Sequence, residues 1–284
     1  MKARDHQHRL AIFVSETIYT GTAMQKRSWT SRKTIVLALL ALFLLPLAAR
    51  AAIFAFEDRP HSWRDADWSS IGSLPPAERH PEARVLVLSG RTGGWKGVVA
   101  VHSWIVIKRE NGRDWTRYDV VGWGNPVRIN GWAPDGRWYG DRPVVIADLK
   151  GAAAEKLIPR IEAAITAYRF HNAGDYRIWP GPNSNTFVAT VLRAAPELGA
   201  ILPANAIGRD FRPQAYFGRT DSGTGVEANL WGLLGLKLGW VEGVELNFLG
   251  LVVGLDLQNP ALKLPGIGRL GVGVPAVLAK ADSA

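Results

Sequence analysis

An uncharged apolar run from Ile35 to Ala49 (IVLALLALFLLPLAA) resumes after the single Arg50 as Ala51 to Phe56, and any fold of this chain must find a place for it. Crossing the hydrocarbon of a bilayer takes about 20 apolar residues, and one Arg near an end can reach the headgroups. Residues 34–56 therefore predict a transmembrane anchor or signal segment. A helix buried in a soluble core carries one apolar stripe, whereas this run is apolar on every side. Lys26, Arg27, Arg32 and Lys33 stand directly upstream, so the positive-inside rule keeps residues 1–33 cytoplasmic and sends the rest across. The expectation is a cell inner membrane, with the bulk of the chain on the periplasmic or extracytoplasmic side. A cleaved signal peptide has a similar layout, with Ala49-Arg50-Ala51 as its small-residue site. Apolar residues continue past that point, which favours the uncleaved anchor. Met24 lies just before the basic cluster and is an alternative start to Met1.

The net charge of +9 suggests a nucleic-acid partner until it is located: residues 1–56 hold eight of the 34 Lys/Arg and two of the 25 Asp/Glu, which leaves the remainder at only +3. That remainder has little of the clustered positive charge that neutralising phosphates requires. Nucleic acid is excluded on that ground. The chain has no cysteine, so disulfides, thiolate metal sites and a cysteine nucleophile are excluded together. No G-x-G-x-x-G opens a helix after a strand, and there is neither a P-loop nor a zinc signature, so no cofactor is implied. His61, Asp65 and Asp67 match no metal-ligand spacing and read as part of a solvated linker, and no metal site is expected.

Beyond the anchor, residues 57–83 are rich in Trp, Pro and charge without a sustained period and read as a linker. Arg84–Ser89 reads as a strand, followed by a turn at Gly93, Gly94 and Gly97. Val98–Lys108 and Trp115–Trp123 read as a hairpin about Asn111-Gly112, and Pro143–Asp148 as one more strand. Ala152–Phe170 places Leu157, Ile161, Ile165 and Tyr168 at helical spacing. A breaker-rich loop, Tyr176–Pro182, leads into a second helix beginning near Asn183 and ending near Ala195. From Gly223 onward, Gly every few residues with apolar residues between favours a meander of short strands, since each Gly inside a helix costs about 1 kcal/mol. The fold class is α+β: an α+β domain over 84–222, and a Gly-rich β-strand extension over 223–284 that caps or extends the main sheet.

His102 in a strand, the polar pair Tyr118 and Asp119 in the next, and Asn183-Ser184-Asn185-Thr186-Phe187 opening a later helix recur in a known order. The arrangement over residues 84–195 resembles the circularly permuted papain-like hydrolases, the NlpC-type branch that includes lecithin retinol acyltransferase. There the histidine comes first, on a strand, and an Asn-Cys-x-Thr-Phe-like motif carries the nucleophile. The resemblance implies a papain-like, permuted domain acting on an amide or ester bond. The whole chain also resembles a family of bacterial membrane-anchored proteins with no established activity, through His61-Ser-Trp-Arg-Asp, Trp179-Pro-Gly-Pro-Asn-Ser-Asn-Thr-Phe and Pro260-Ala-Leu-Lys-Leu-Pro-Gly.

Where that papain-like family has a thiol, this chain has Ser184. A hydroxyl cannot become a stable anion at a helix start, so attack requires proton removal by His102, with Asp119 or, more weakly, Tyr118 orienting the imidazole. Period-two alternation allows at most one of the two to do so. Each residue also has a structural reading: Asn183, Ser184 and Asn185 are favoured N-caps, His102 suits a buried hydrogen-bonded site, and His171 suits the end of a helix. Trp95 and Trp104 belong to a cluster of six tryptophans between residues 95 and 138; with Asn183 they are the candidate walls of a groove for a peptide, glycan or acyl substrate. Two functions follow as expectations: an envelope hydrolase or acyl transferase, or a catalytically inactive papain-like binding or structural module at the membrane. Oligomeric state is not legible.

Overall fold

The computed structural model describes residues 7–272, with side chains from Ser31 onward. Residues 1–6 of the basic segment and 273–284 of the Gly-rich extension lie outside the described residues. The chain divides into two compact units, Met1–Leu45 and Pro46–Ala284. The first is helical from Gln7; helix α1 (Gln7–Ala55) runs through it, and its last turns belong to the second unit. Ser31–Ala55 of α1, 25 residues, is long and apolar enough to cross a membrane.

In the second unit, strands β1 (Arg84–Arg91), β2 (Val101–Lys108), β3 (Thr116–Val120), β4 (Val127–Ile129) and β5 (Val144–Lys150) form a sheet in the order β4-β3-β2-β1-β5. Every pairing in it is antiparallel. The expected strand from Val98 is shorter than read, because Lys96–Val99 turn once as helix α2. Gly97 allows that turn: a Cβ there would fall 2.5 Å from the Thr92 carbonyl. Strand β4 forms shortly after β3, where no strand is expected from the sequence.

Helices α3 (Gly151–Thr166) and α4 (Ser184–Ala194) cover one face of this sheet. α3 buries Leu157, Ile158, Ile161 and Ile165 as its 3.6-residue period demands, and stops short of the expected Phe170. α4 buries Phe187, Val188, Val191 and Leu192 against Val85, Val87, Ile105 and Ile107; each is worth roughly 1.5–3 kcal/mol of burial. The opposite face carries Leu86, Leu88, Trp104 and Val106 under a roof of Trp68, Trp132, Trp138 and Tyr139. Asp135 ties part of that roof to the irregular segment before β1, accepting from Ser70 Oγ at 2.5 Å and from the Ser73 N–H at 2.6 Å.

The Gly-rich extension does not lengthen the main sheet. It is a second sheet of seven strands, β6 (Tyr216–Arg219), β7 (Gly225–Leu230), β8 (Leu234–Gly239), β9 (Gly243–Phe248), β10 (Leu251–Asp256), β11 (Ala261–Leu264) and β12 (Gly268–Gly271), each paired with its sequence neighbour. It begins at Tyr216, before the expected boundary at Gly223.

Candidate functional site

Cross-strand partners share a face of a sheet, and successive residues alternate between faces. In β2, His102 pairs with Gly90 and Trp104 with Leu88, whereas Ser103 pairs with Ser89 and Ile105 with Val87. His102 therefore lies on the face roofed by tryptophans, and Ser103 and Ile105 lie on the face that α4 covers. The same alternation in β3 separates Asp119 from Tyr118, which packs with the α4 face.

His102 is buried, with Nε2 2.9 Å from Asp119 Oδ1. An ionised carboxylate only accepts, so Nε2 carries the proton and donates. Arg117, two residues back and hence on the same face, donates Nε to Asp119 Oδ2 at 2.7 Å and Nη2 to Oδ1 at 2.9 Å. Its third nitrogen donates to the Ala133 carbonyl at 2.8 Å, and its guanidinium lies 4.0 Å from the Trp104 ring centroid. Burial would raise the Asp119 carboxyl, but hydrogen bonding from His102 and the charge of Arg117 outweigh it and hold the group below its ordinary value. For His102 burial is the largest influence, and it lowers the imidazole below its ordinary value despite Asp119. The imidazole is therefore neutral at pH 7.

Trp138 stacks on His102 with centroids 3.6 Å apart. Gly90, across the strand, makes room: a Cβ there would come within 3.0 Å of Trp138 Cβ. Trp104 is fully buried, with its indole N–H donating to the Pro134 carbonyl at 3.0 Å. It is a packing residue beneath the roof and not a groove wall, which corrects the expectation. Trp95 is exposed beside α2.

Ser184 is the first residue of α4 and is buried. Asn183 caps the helix: its Oδ1 accepts from the N–H groups of Asn185 and Thr186 at 3.0 and 3.1 Å, and Thr186 Oγ1 accepts the Asn183 N–H in return. Asn183 Nδ2 donates to the carbonyls of Ile178 and Ile207, both at 3.0 Å. With amide oxygen and nitrogen both committed, Asn183 has a structural role that the expected substrate contact would disrupt. Burial raises the Tyr176 phenol, and the hydroxyl and N–H of Ser184 beside it pull it part of the way back.

The structure thus brings His102 and Asp119 together, while Ser184 opens a helix that packs on the other face of the sheet and bonds to Tyr176. Among the described residues no hydrogen bond joins Ser184 to His102. Sequence reasoning missed Arg117, Trp138 and Tyr176. The i, i+2 spacing of Arg117 and Asp119 in a strand was a usable signal for the first; the others come from loops whose path no local pattern encodes. No group of three or more His, Asp or Glu side chains is placed to hold a metal ion among the described residues.

A cavity of about 370 Å³ opens elsewhere, where the edge of the first sheet meets the loop 199–205 and the second sheet. Val101, Val145, Ile146 and Leu202 supply apolar wall, and Arg91, Asp141 and Asn205 supply polar points. Asn205 is buried, and its Oδ1 has no partner among the described residues.

Residues 82–211 match the model of a family described as a protein of unknown function, DUF3750. The matched region spans the five-stranded sheet, α3, α4 and the loop through Arg209 and Asp210, so it includes His102, Asp119 and Ser184; the seven-stranded sheet lies beyond it. No curated protein and no solved structure matches the chain.

Proposed function

We propose that this chain is a membrane-anchored binding module that uses a papain-like scaffold without turnover. The observation that carries the reading is that His102 lies on the tryptophan-roofed face of the sheet, whereas α4, which Ser184 opens, packs on the opposite face. General-base catalysis needs the base within about 3 Å of the proton it takes, directly or through one water. Here the imidazole is pressed against an indole and tied to a buried carboxylate, and the hydroxyl faces a phenol. The ligand site is the cavity at the sheet edge, whose volume falls within the usual range for small-molecule sites. Apolar walls with Arg91 and Asn205 as polar points suit an acyl-type ligand with one polar end. The basic cluster at Lys26, Arg27, Arg32 and Lys33, read by the positive-inside rule, supports an extracytoplasmic position for this site at the inner membrane.

One observation favours a second reading, the envelope hydrolase or acyl transferase. The His102–Asp119 pair leaves Nδ1 as the basic atom of an oriented imidazole, the arrangement a nucleophile would require. A fluorophosphonate probe on the full-length protein, read by intact mass, decides between the two. No adduct on folded protein supports the binding module. An adduct on wild type that is lost in Ser184→Ala replaces it with the hydrolase.

A further inference from the structure

The seven-stranded sheet is inside out. Val226, Leu238, Val244, Leu255, Leu262 and Leu270 are successive cross-strand partners from β7 to β12. They form one unbroken apolar row, and all six are exposed, from 37% at Val244 to 57% at Leu270. At about 4.8 Å between strands the row runs about 24 Å. The next row, one residue along and on the other face, pairs Glu227, Lys237, Glu245, Gly254, Lys263 and Arg269 in the same order. Glu227, Lys237, Glu245 and Lys263 are buried.

The charged face is complete in itself. The segment Arg209–Arg212 lies against it: Lys237 Nζ donates to Asp210 Oδ1 at 2.6 Å, Arg212 Nη2 to Glu227 Oε2 at 2.7 Å, and Arg209 pairs with Glu245. Lys263 Nζ donates to Glu245 Oε1 at 2.6 Å. An exported domain in water gains nothing by turning leucines outward and enclosing its lysines and glutamates. Contiguous exposed apolar surface of this extent marks an interaction surface, and polar-in, apolar-out alternation is the pattern of a sheet that faces lipid.

Two further observations indicate what covers the face. The turn between β11 and β12 abuts α1: a Cβ on Gly266 would meet Leu47 Cδ2 at 3.1 Å and Arg50 Cβ at 3.6 Å. Both residues lie within the apolar stretch Ser31–Ala55, and Leu47 is eight residues, about 12 Å, before the end of α1. The turn between β11 and β12 is therefore held beside the last turns of α1, within about 12 Å of its end. In addition, Trp231 and Trp240 are exposed in the turns at opposite ends of β8, and exposed indoles are enriched where a protein meets the headgroup layer.

We propose that the outer face of the seven-stranded sheet lies on the lipid surface beside α1, with the leucine row sunk into the boundary between headgroups and acyl chains. The insertion is shallow. The edge strands β6 and β12 stay at headgroup level, where water satisfies their free backbone groups; lipid-exposed sheet edges do not occur in the hydrocarbon. The inference rests on Ser31–Ala55 spanning the membrane and is independent of whether the domain that holds His102 and Ser184 turns over a substrate.

Because the chain has no cysteine, single spin labels report single positions. The full-length protein is reconstituted in phosphatidylglycerol/phosphatidylethanolamine vesicles with one label at Val226→Cys, Leu238→Cys or Leu262→Cys. Asp114→Cys serves as the solvent control and Leu40→Cys as the helix control. The expected result is that face labels resemble Leu40 in accessibility to oxygen and in protection from a water-soluble nickel complex, whereas Asp114 shows the reverse. Face labels that match Asp114 while Leu40 remains protected overturn the inference and leave the anchor standing. Face labels and Leu40 both open to nickel overturn the anchor as well. Dipolar broadening between Leu238 labels on two chains, with protection from oxygen and nickel alike, assigns the face to a second copy and overturns the lipid assignment.

Discussion

The imidazole of His102 lies flat on the indole of Trp138, with ring planes 4° apart. An indole face and the Asp119 carboxylate both favour the imidazolium, yet burial prevails and lowers His102 below its ordinary value. On acidification the unfolded chain therefore takes up a proton near pH 6.5, before the folded chain does. Stability falls as pH drops below about 6.5 and levels once the folded imidazole also titrates, with a slope of at most about 1.4 kcal/mol per pH unit. Asp119 stays ionised in both states down to about pH 5 and does not contribute to that window. Chemical melts at pH 7.5, 6.5 and 5.5 should show this decline in wild type and a flatter profile in His102→Gln; equal slopes in the two would assign the effect elsewhere.

Asp119 is the only carboxylate bonded to both His102 and Arg117 among the described residues. Asp119→Asn leaves the buried guanidinium without a counter-charge and should cost about 3–5 kcal/mol. The double variant Asp119→Leu with Arg117→Met removes both charges and should lose less than Asp119→Asn alone. A double variant as unstable as the sum of the two single ones would mean that the pair does not act as a unit.

Asn183 and Ser184 are adjacent and should behave oppositely on stability. Asn183→Ala removes an N-cap and two bonds to loop carbonyls and should cost about 2 kcal/mol. Ser184→Ala leaves the cap in place and should change the melting temperature by only a degree or two. Circular-dichroism melts of both variants give the comparison, and a larger loss in Ser184→Ala would show that the contact with Tyr176 supports the fold.

Gly243 opens β9 at φ +71°, and a Cβ there would lie 1.9 Å from the Leu255 carbonyl oxygen. Gly243→Ala combines a left-handed backbone with a clash against a paired strand. It should cost at least about 1–2 kcal/mol from the backbone alone, and amide exchange should quicken first in β9 and β10. Protection unchanged in those strands would contradict the pairing described above.

The parts of this fold that local sequence encodes are those with one dominant period. The uniform apolar run of α1, the spacing of Leu157, Ile161 and Ile165 in α3, and the Asn-to-Thr cap of α4 are each written within a few neighbouring residues. The pairing of His102 with Asp119 was legible because two strands joined by a short turn must be neighbours, and alternation selects Asp119 over Tyr118. Alternation, however, divides residues between two faces without saying which face a helix will cover. Ser184 was therefore placed with His102 by order along the chain, while α4 settled on the other side. The same ambiguity covers the second sheet's inversion: alternation puts Glu227, Lys237, Glu245 and Lys263 on one face without saying that the segment carrying Arg209, Asp210 and Arg212 lies against them.

The two rows of that sheet also make it behave as a single reading frame. Each strand pairs only with its sequence neighbours, so one residue inserted inside a strand would turn every later leucine toward Arg209 and Asp210 and every later lysine and glutamate outward. An insertion within a turn leaves the frame intact. Length variation in this sheet should therefore be confined to its turns, and a truncation that ends between strands should be better tolerated than one deleted residue within β8 or β9.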